Sequence, residues 1–223
     1  MGKTEVICVA CRGTGWTPTE EGGVARCRCV ARALGRHVLS LAGIPPRYKG
    51  KSLDDYDGSV DPTAALAKDA CASYIETYPH GSLLLMGPPG VGKTHLAVAI
   101  LKVLIGRGAR GVYWSYHKLL EAVRSTYHNP EGPSESDVMG TALGAEPLVL
   151  DDLGARRLTE WSEDTIAYLI GHRYDQCAPT IFTTNWTDDG PVTLEERITT
   201  RLRSRLYEMC ETVQIAGPDR RNR

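Results

Sequence analysis

Lys93 and Thr94 close the octapeptide Gly87-Pro88-Pro89-Gly90-Val91-Gly92-Lys93-Thr94, a G-x-x-x-x-G-K-[ST] pattern whose residue types suit a polyphosphate. Glycines at 87, 90 and 92 let backbone N–H groups converge on an anion, and a helix starting there adds its positive end. The Lys93 ammonium would pair with β- and γ-phosphates, and the Thr94 hydroxyl would ligate Mg²⁺. Leu148-Val149-Leu150-Asp151-Asp152 is an apolar strand ending in two carboxylates, where a Mg²⁺-dependent nucleotide hydrolase needs them. Asp151 would hold the hydrated metal and Asp152 polarise the attacking water; as a pair they could also merely cap the next helix. Asn185, ending Thr183-Thr184-Asn185, suits orientation of the same water.

A second constellation lies near the N-terminus. Cys8-x-x-Cys11 and Cys27-x-Cys29 give four thiols in a segment too small to bury its own core. Four thiolates at this spacing can close a tetrahedral Zn²⁺ site worth ~10–16 kcal/mol, enough to fold the segment; the other reading is four unpaired thiols. Seven cysteines with no apolar leader at the N-terminus fit a reducing, cytoplasmic setting, and Cys71, Cys177 and Cys210 read as ordinary buried thiols.

The elements that must position these groups are legible from periodicity. Leu83–Met86 reads as a buried strand feeding the octapeptide, and 95–105 as a helix covering a sheet. Further strands are expected at 111–115, 147–150, 180–184 and 212–215, alternating with helices, so a five-stranded parallel sheet covered on both faces is the economical α/β arrangement. Asp61-Pro62 opens a helix to about Tyr78. Thr193 and Glu196 form a capping box for one helix running to about Met209, on which Arg201 and Arg205 share a face. Such arginines can enter a neighbouring subunit's site or simply make surface ion pairs. Residues 128–137 read as a loop, and 30–41 as a helix ended by Gly43-Ile44-Pro45-Pro46. The boundaries expected are 1–43 for a zinc-binding domain, 44–60 for a polar linker and 61–223 for the nucleotide-binding domain. A net charge of −1 excludes a uniformly basic DNA-coating protein, although arginines cluster at 26–36 and 197–223. No apolar run approaches the ~20 residues of a membrane span.

Taken in order, Gly-Pro-Pro-Gly-Val-Gly-Lys-Thr, Leu-Val-Leu-Asp-Asp-Leu-Gly, Thr-Thr-Asn and Arg-Leu-Arg-Ser-Arg-Leu resemble the DnaC/DnaI/IstB family of AAA+ ATPases from about Ile44 onward. The N-terminal cysteines resemble the zinc domain of DnaI-type and phage-type loaders. The resemblance implies a lidless P-loop AAA+ three-layer sandwich, with ATP and Mg²⁺ at an inter-subunit site and Zn²⁺ in a small N-terminal domain. It makes Asn185 sensor 1, Arg205 the arginine finger with Arg201 its companion, and Arg221 a sensor-2-like residue. It implies a helicase loader in DNA replication that self-associates, binds a DnaB-type replicative helicase and contacts single-stranded DNA, with Lys118 and Arg124 as candidate contacts. An IstB-like transposition helper, a small-molecule P-loop kinase and a zinc adaptor with a vestigial nucleotide site are the alternatives. Asp152 stands where many AAA+ proteins carry Glu, which implies slow hydrolysis.

Overall fold

The computed structural model describes residues 8–19, 23–27, 29, 38–129 and 131–222. Two short antiparallel strands, β1 (Trp16–Pro18) and β2 (Val24–Arg26), form an N-terminal ribbon. The remaining strands build one sheet: β3 (Ser82–Met86), β4 (Val112–Ser115), β5 (Leu148–Leu153), β6 (Thr180–Thr184) and β7 (Cys210–Gln214). Their spatial order is β4-β5-β6-β3-β7, and every pair is parallel. Of the helix expected at 30–41, only 38–41 falls within the described residues, and it is helical there.

Alternation along the strands divides the core. Leu83, Leu85, Val149, Ile181 and Val213 face one side, where α1 (Pro62–Thr77) and α2 (Lys93–Gly106) cover them. Leu84, Met86, Leu148, Leu150 and Phe182 face the other, covered by α3 (Tyr116–Thr126), α4 (Glu135–Leu143), α5 (Glu160–Asp175), α6 (Leu194–Ile198) and α7 (Thr200–Met209). All five residues of β3 are buried, as an interior parallel strand covered on both faces requires. A parallel sheet places the C-terminal ends of its strands on one edge, so the residues following β3, β5, β6 and β7 meet there.

Two elements differ from the sequence expectation. Residues 134–137 are not loop: Ser134 and Asp137 cap each other reciprocally and start α4. The single helix expected from Thr193 to Met209 is two, because Thr199 sits at φ +75° between α6 and α7. The Thr193–Glu196 capping box is present and starts α6.

Arg173 on α5 is fully buried and makes no ion pair with a carboxylate among the described residues. Its guanidinium instead donates to the carbonyls of Ala142, Leu143, Ala145 and Pro179 and to Thr180 Oγ1, tying α4, α5 and β6 together. Burial lowers its pKa to about 10.

Candidate nucleotide site and cysteine cluster

The octapeptide joins β3 to α2 at the edge where the strand ends converge. Gly87, Gly90 and Gly92 all have positive φ, and side chains at these positions would run into the Ile215 carbonyl, the Asp219 carboxylate and the Tyr56 ring respectively. Helices α1, α3, α4, α5 and α6 each begin on a side-chain cap, whereas α2 begins on Gly92 with none. The first-turn N–H groups of α2 are thus left for a ligand, and phosphate is the anion such a terminus favours.

Lys93 is 5% exposed. Its Nζ donates to the carbonyls of Gly87 (2.7 Å) and Pro88 (2.8 Å) and to Asn185 Oδ1 (2.8 Å). Burial lowers its pKa to about 8, against the opposing pull of Asp152 and Asp151. One bond therefore joins the octapeptide lysine to the asparagine after β6, 92 residues away.

Asp151 is buried and accepts from three hydroxyls. Thr94 Oγ1 (2.9 Å) and Thr183 Oγ1 (2.7 Å) donate to its Oδ1, and Tyr113 OH (2.6 Å) donates to its Oδ2. The Thr94 hydroxyl lines the cleft and is bonded to the buried Asp151 carboxylate behind it, a hard-oxygen pair of the kind that suits Mg²⁺. Between Leu150 and Leu153 the β5–β6 register shifts, because three steps along β5 match two along β6. The extra residue falls at the two aspartates; Asp152 takes φ +59°, and its N–H bonds Thr183 Oγ1 at 2.9 Å. A bulge of this kind re-aims side chains, here lifting Asp152 to the cleft. The surrounding protein and the adjacent Asp151 push the Asp152 carboxyl above the usual carboxylate range, although its edge is open to solvent.

The cleft holds about 330 Å³. Lys93, Thr94, Asp152, Asn185 and Arg221 line it together, so most of the sequence-predicted group is assembled by the fold. Arg201 and Arg205 do not line it: Arg201 is exposed, and Arg205 lies against α5 with its guanidinium 5.6 Å from the Tyr174 ring centre. Arg47, Tyr48 and Lys51 also line the cleft, and sequence reasoning missed them by treating 44–60 as connector. Tyr56 from the same segment is buried, donates to the Val91 carbonyl (3.1 Å) and packs edge-on to His95. Arg220 was missed as well; its guanidinium sits 4.2 Å from the Tyr56 ring centre, and its backbone N–H bonds the Gly90 carbonyl. The Ile-Pro-Pro-Arg-Tyr sequence and the arginine-rich tail carried the available signal, but only the fold shows that both return to the octapeptide.

The ligating sulfurs of Cys8, Cys11, Cys27 and Cys29 all lie within 4.8 Å of one another, with Cys8–Cys27 at 3.8 Å and Cys11–Cys29 at 3.3 Å. A tetrahedron with Zn–S bonds of ~2.3 Å has edges of about 3.8 Å, so the donor set fits zinc.

A parallel sheet of this order, with the glycine-rich loop after the interior strand β3 and carboxylates at the end of β5, two strands away, defines a P-loop ATPase fold of the AAA+ class. The chain belongs to the family of IstB-like ATP-binding proteins, whose model matches residues 28–223. These are AAA+ ATPases. The replicative helicase loader DnaC of Escherichia coli is 27% identical over 175 residues, covering 75% of this chain and 69% of DnaC. The YqaM protein of Bacillus subtilis is 26% identical over 221 residues, covering 92% of this chain and 66% of its own length, just under two thirds. Among solved structures, a DnaC helicase loader superposes with a TM-score of 0.67 at 30% identity, covering 77% of this chain and 99% of that one. No helix among the described residues is long and apolar enough to cross a membrane.

Proposed function

We propose that this chain is an ATP-driven helicase loader of DNA replication, hydrolysing ATP at a site shared between adjacent subunits. The observation that carries this reading is a nucleotide cleft lined by Lys93, Asp152 and Asn185 beside the buried Asp151, while the two arginines on one face of α7 lie outside it. Lys93 would exchange its carbonyl and amide acceptors for β- and γ-phosphate oxygens, and Arg221 would add charge from the tail. Mg²⁺, held by Thr94 and Asp151, would supply charge neutralisation at the phosphates. Asp152 and Asn185 would orient the attacking water, and Arg205, with Arg201 beside it, would reach the γ-phosphate of the neighbouring subunit.

The cysteine cluster bears on the partner. Cys8, Cys11 and Cys27 precede the segment matched by the family model, which supports reading them as part of an appended zinc module, taken as 1–43, ahead of an ATPase domain at 61–223. The DnaC relative is a replicative helicase loader by name, and the module is assigned the grip on a DnaB-type helicase. A narrow groove lined by His117, Arg124, Arg156, Arg157 and Trp161, with the Arg124 guanidinium 5.6 Å from the indole centre, offers the cations and stacking surface suited to single-stranded DNA. Lys118 points elsewhere, lining a pocket with Trp114 and Thr141.

Co-purification with the DnaB-type helicase of the same source, with ATP or ADP, tests the proposal. ATP-dependent capture that is lost in Cys8→Ser supports it. Capture of a transposase in place of the helicase would favour the IstB-like transposition reading that the family's description keeps open. Phosphorylation of a small acceptor without helicase capture would make the chain a kinase.

A further inference from the structure

The segment after β6 is anchored to the arginine-bearing helix by a side chain outside the nucleotide cleft. Three residues past Asn185, the Asp188 carboxylate takes both prongs of Arg203, Nε to Oδ1 at 2.9 Å and Nη2 to Oδ2 at 2.5 Å. Tyr207 OH donates to the same Oδ2 at 2.6 Å, and the Arg203 guanidinium lies 4.6 Å from the Tyr207 ring centre. Asp188 thus grips two residues one turn apart on α7. Arg203 falls midway between Arg201 and Arg205; at about 100° per residue it projects some 200° away from each. Holding 203 and 207 on one side fixes the rotation of α7 that turns 201 and 205 to the other.

A parallel tie secures α6. Trp186 Nε1 donates to the Gly154 carbonyl at 2.9 Å, and the Arg197 guanidinium lies 3.8 Å from the indole centre. Gly154, at φ +76°, lies so close to Arg197 and Trp186 that a side chain there would press on both. The segments that follow β5 and β6 are therefore both fastened to the α6–α7 unit, with Asp188 the contact that reaches α7.

We propose that Asp188 is a positioning residue that sets α7, through Arg203 and Tyr207, so that Arg201 and Arg205 are presented to the next subunit's nucleotide. This rests on the trans-arginine reading above. The bidentate geometry fixes orientation. Because the Asp188 and Arg203 side chains keep 30% and 32% of their surface in solvent, the pair adds little to stability, so its loss misplaces the helix without unfolding the chain.

The test is steady-state hydrolysis and ATP affinity in full-length Asp188→Asn, Arg203→Gln, the double variant and Arg205→Ala, alone and mixed with Lys93→Met subunits. Asp188→Asn should keep its ATP Kd within about threefold and lose at least tenfold in kcat, and the double variant should lose no more than either single. Mixing with Lys93→Met, which cannot bind nucleotide but presents an intact α7, should restore turnover to both Asp188→Asn and Arg205→Ala. Restoration of Arg205→Ala alone, with co-assembly shown by light scattering, would place the action of Asp188 in its own site and overturn the inference. Wild-type kcat in Asp188→Asn would overturn it directly. Wild-type turnover in unmixed Arg205→Ala would instead remove the trans-arginine reading beneath it.

Discussion

Replacing Lys93 by Met should make the nucleotide-free protein more stable while abolishing its response to ATP. Burial lowers the Lys93 pKa from 10.5 to about 8. Each unit is worth ~1.4 kcal/mol, so holding this ammonium charged in the fold costs about 3 kcal/mol below pH 8. The depression disfavours the protonated form in the folded state, so the penalty is full below pH 8 and fades as pH rises from 8 to 10.5. Met fills similar volume without a charge, but it forfeits three hydrogen bonds whose acceptors can in part be hydrated. At ~0.5 kcal/mol for each of these three neutral acceptors, the low end for groups that water can reach, about 2 kcal/mol of gain is left, or roughly 4–8 °C in Tm for a chain of this size. Calorimetry at pH 7 and pH 10 without nucleotide should show the gap at pH 7 and its near disappearance at pH 10. Saturating ATP at pH 7 should reverse the order, since ligand stabilises only the chain that binds it. A variant that melts at or below wild type at pH 7, by a margin that does not change with pH, would refute the strained-cation argument.

Other perturbations have equally direct readouts. Metal analysis should find one zinc per protomer in the parent and none in Cys8→Ser, with the β1–β2 ribbon unfolded in the variant while the main calorimetric transition stays in place. Tyr113→Phe removes a donor to the buried Asp151 carboxylate and should lower stability by about 1.5–3 kcal/mol in urea, with several-fold slower hydrolysis. Arg173→Met leaves four carbonyls and Thr180 Oγ1 without their donor; at ~1–1.5 kcal/mol each, less the ~3 kcal/mol that burying the guanidinium charge costs, stability should fall by about 2–4 kcal/mol in the same titration, without changing ATP affinity in the fraction that folds.

Much of the nucleotide-binding fold was legible because its signals are local. The strand–loop–helix order around Lys93, the apolar run into Asp151 and the alternation of strand and helix patterns need only neighbouring residues. The sheet order β4-β5-β6-β3-β7 does not follow from alternation, and neither does the contact it creates between Lys93 and Asn185. The break at Thr199 was hidden because the apolar spacing of Ile198, Leu202 and Leu206 continues across it, although its φ of +75° turns the chain. Tyr113 falls inside the strand expected at 111–115, and its hydroxyl matters only once β4 lies beside β5. Tyr56 and Arg220, 164 positions apart, looked like linker and tail, yet they stack against each other over the octapeptide. Long-range return of chain segments is the information that spacing along one sequence lacks.

The central claim, an ATPase site completed by a second subunit, is tested most directly by specific activity against protein concentration, with light scattering on the same samples. If α7 of one subunit completes the cleft of the next, turnover per protomer at saturating ATP must follow the assembled fraction, falling towards zero as dilution yields monomers. Turnover per protomer that stays constant into the monomeric range would contradict the account, because the arginines of α7 would then be dispensable to a cleft that works alone.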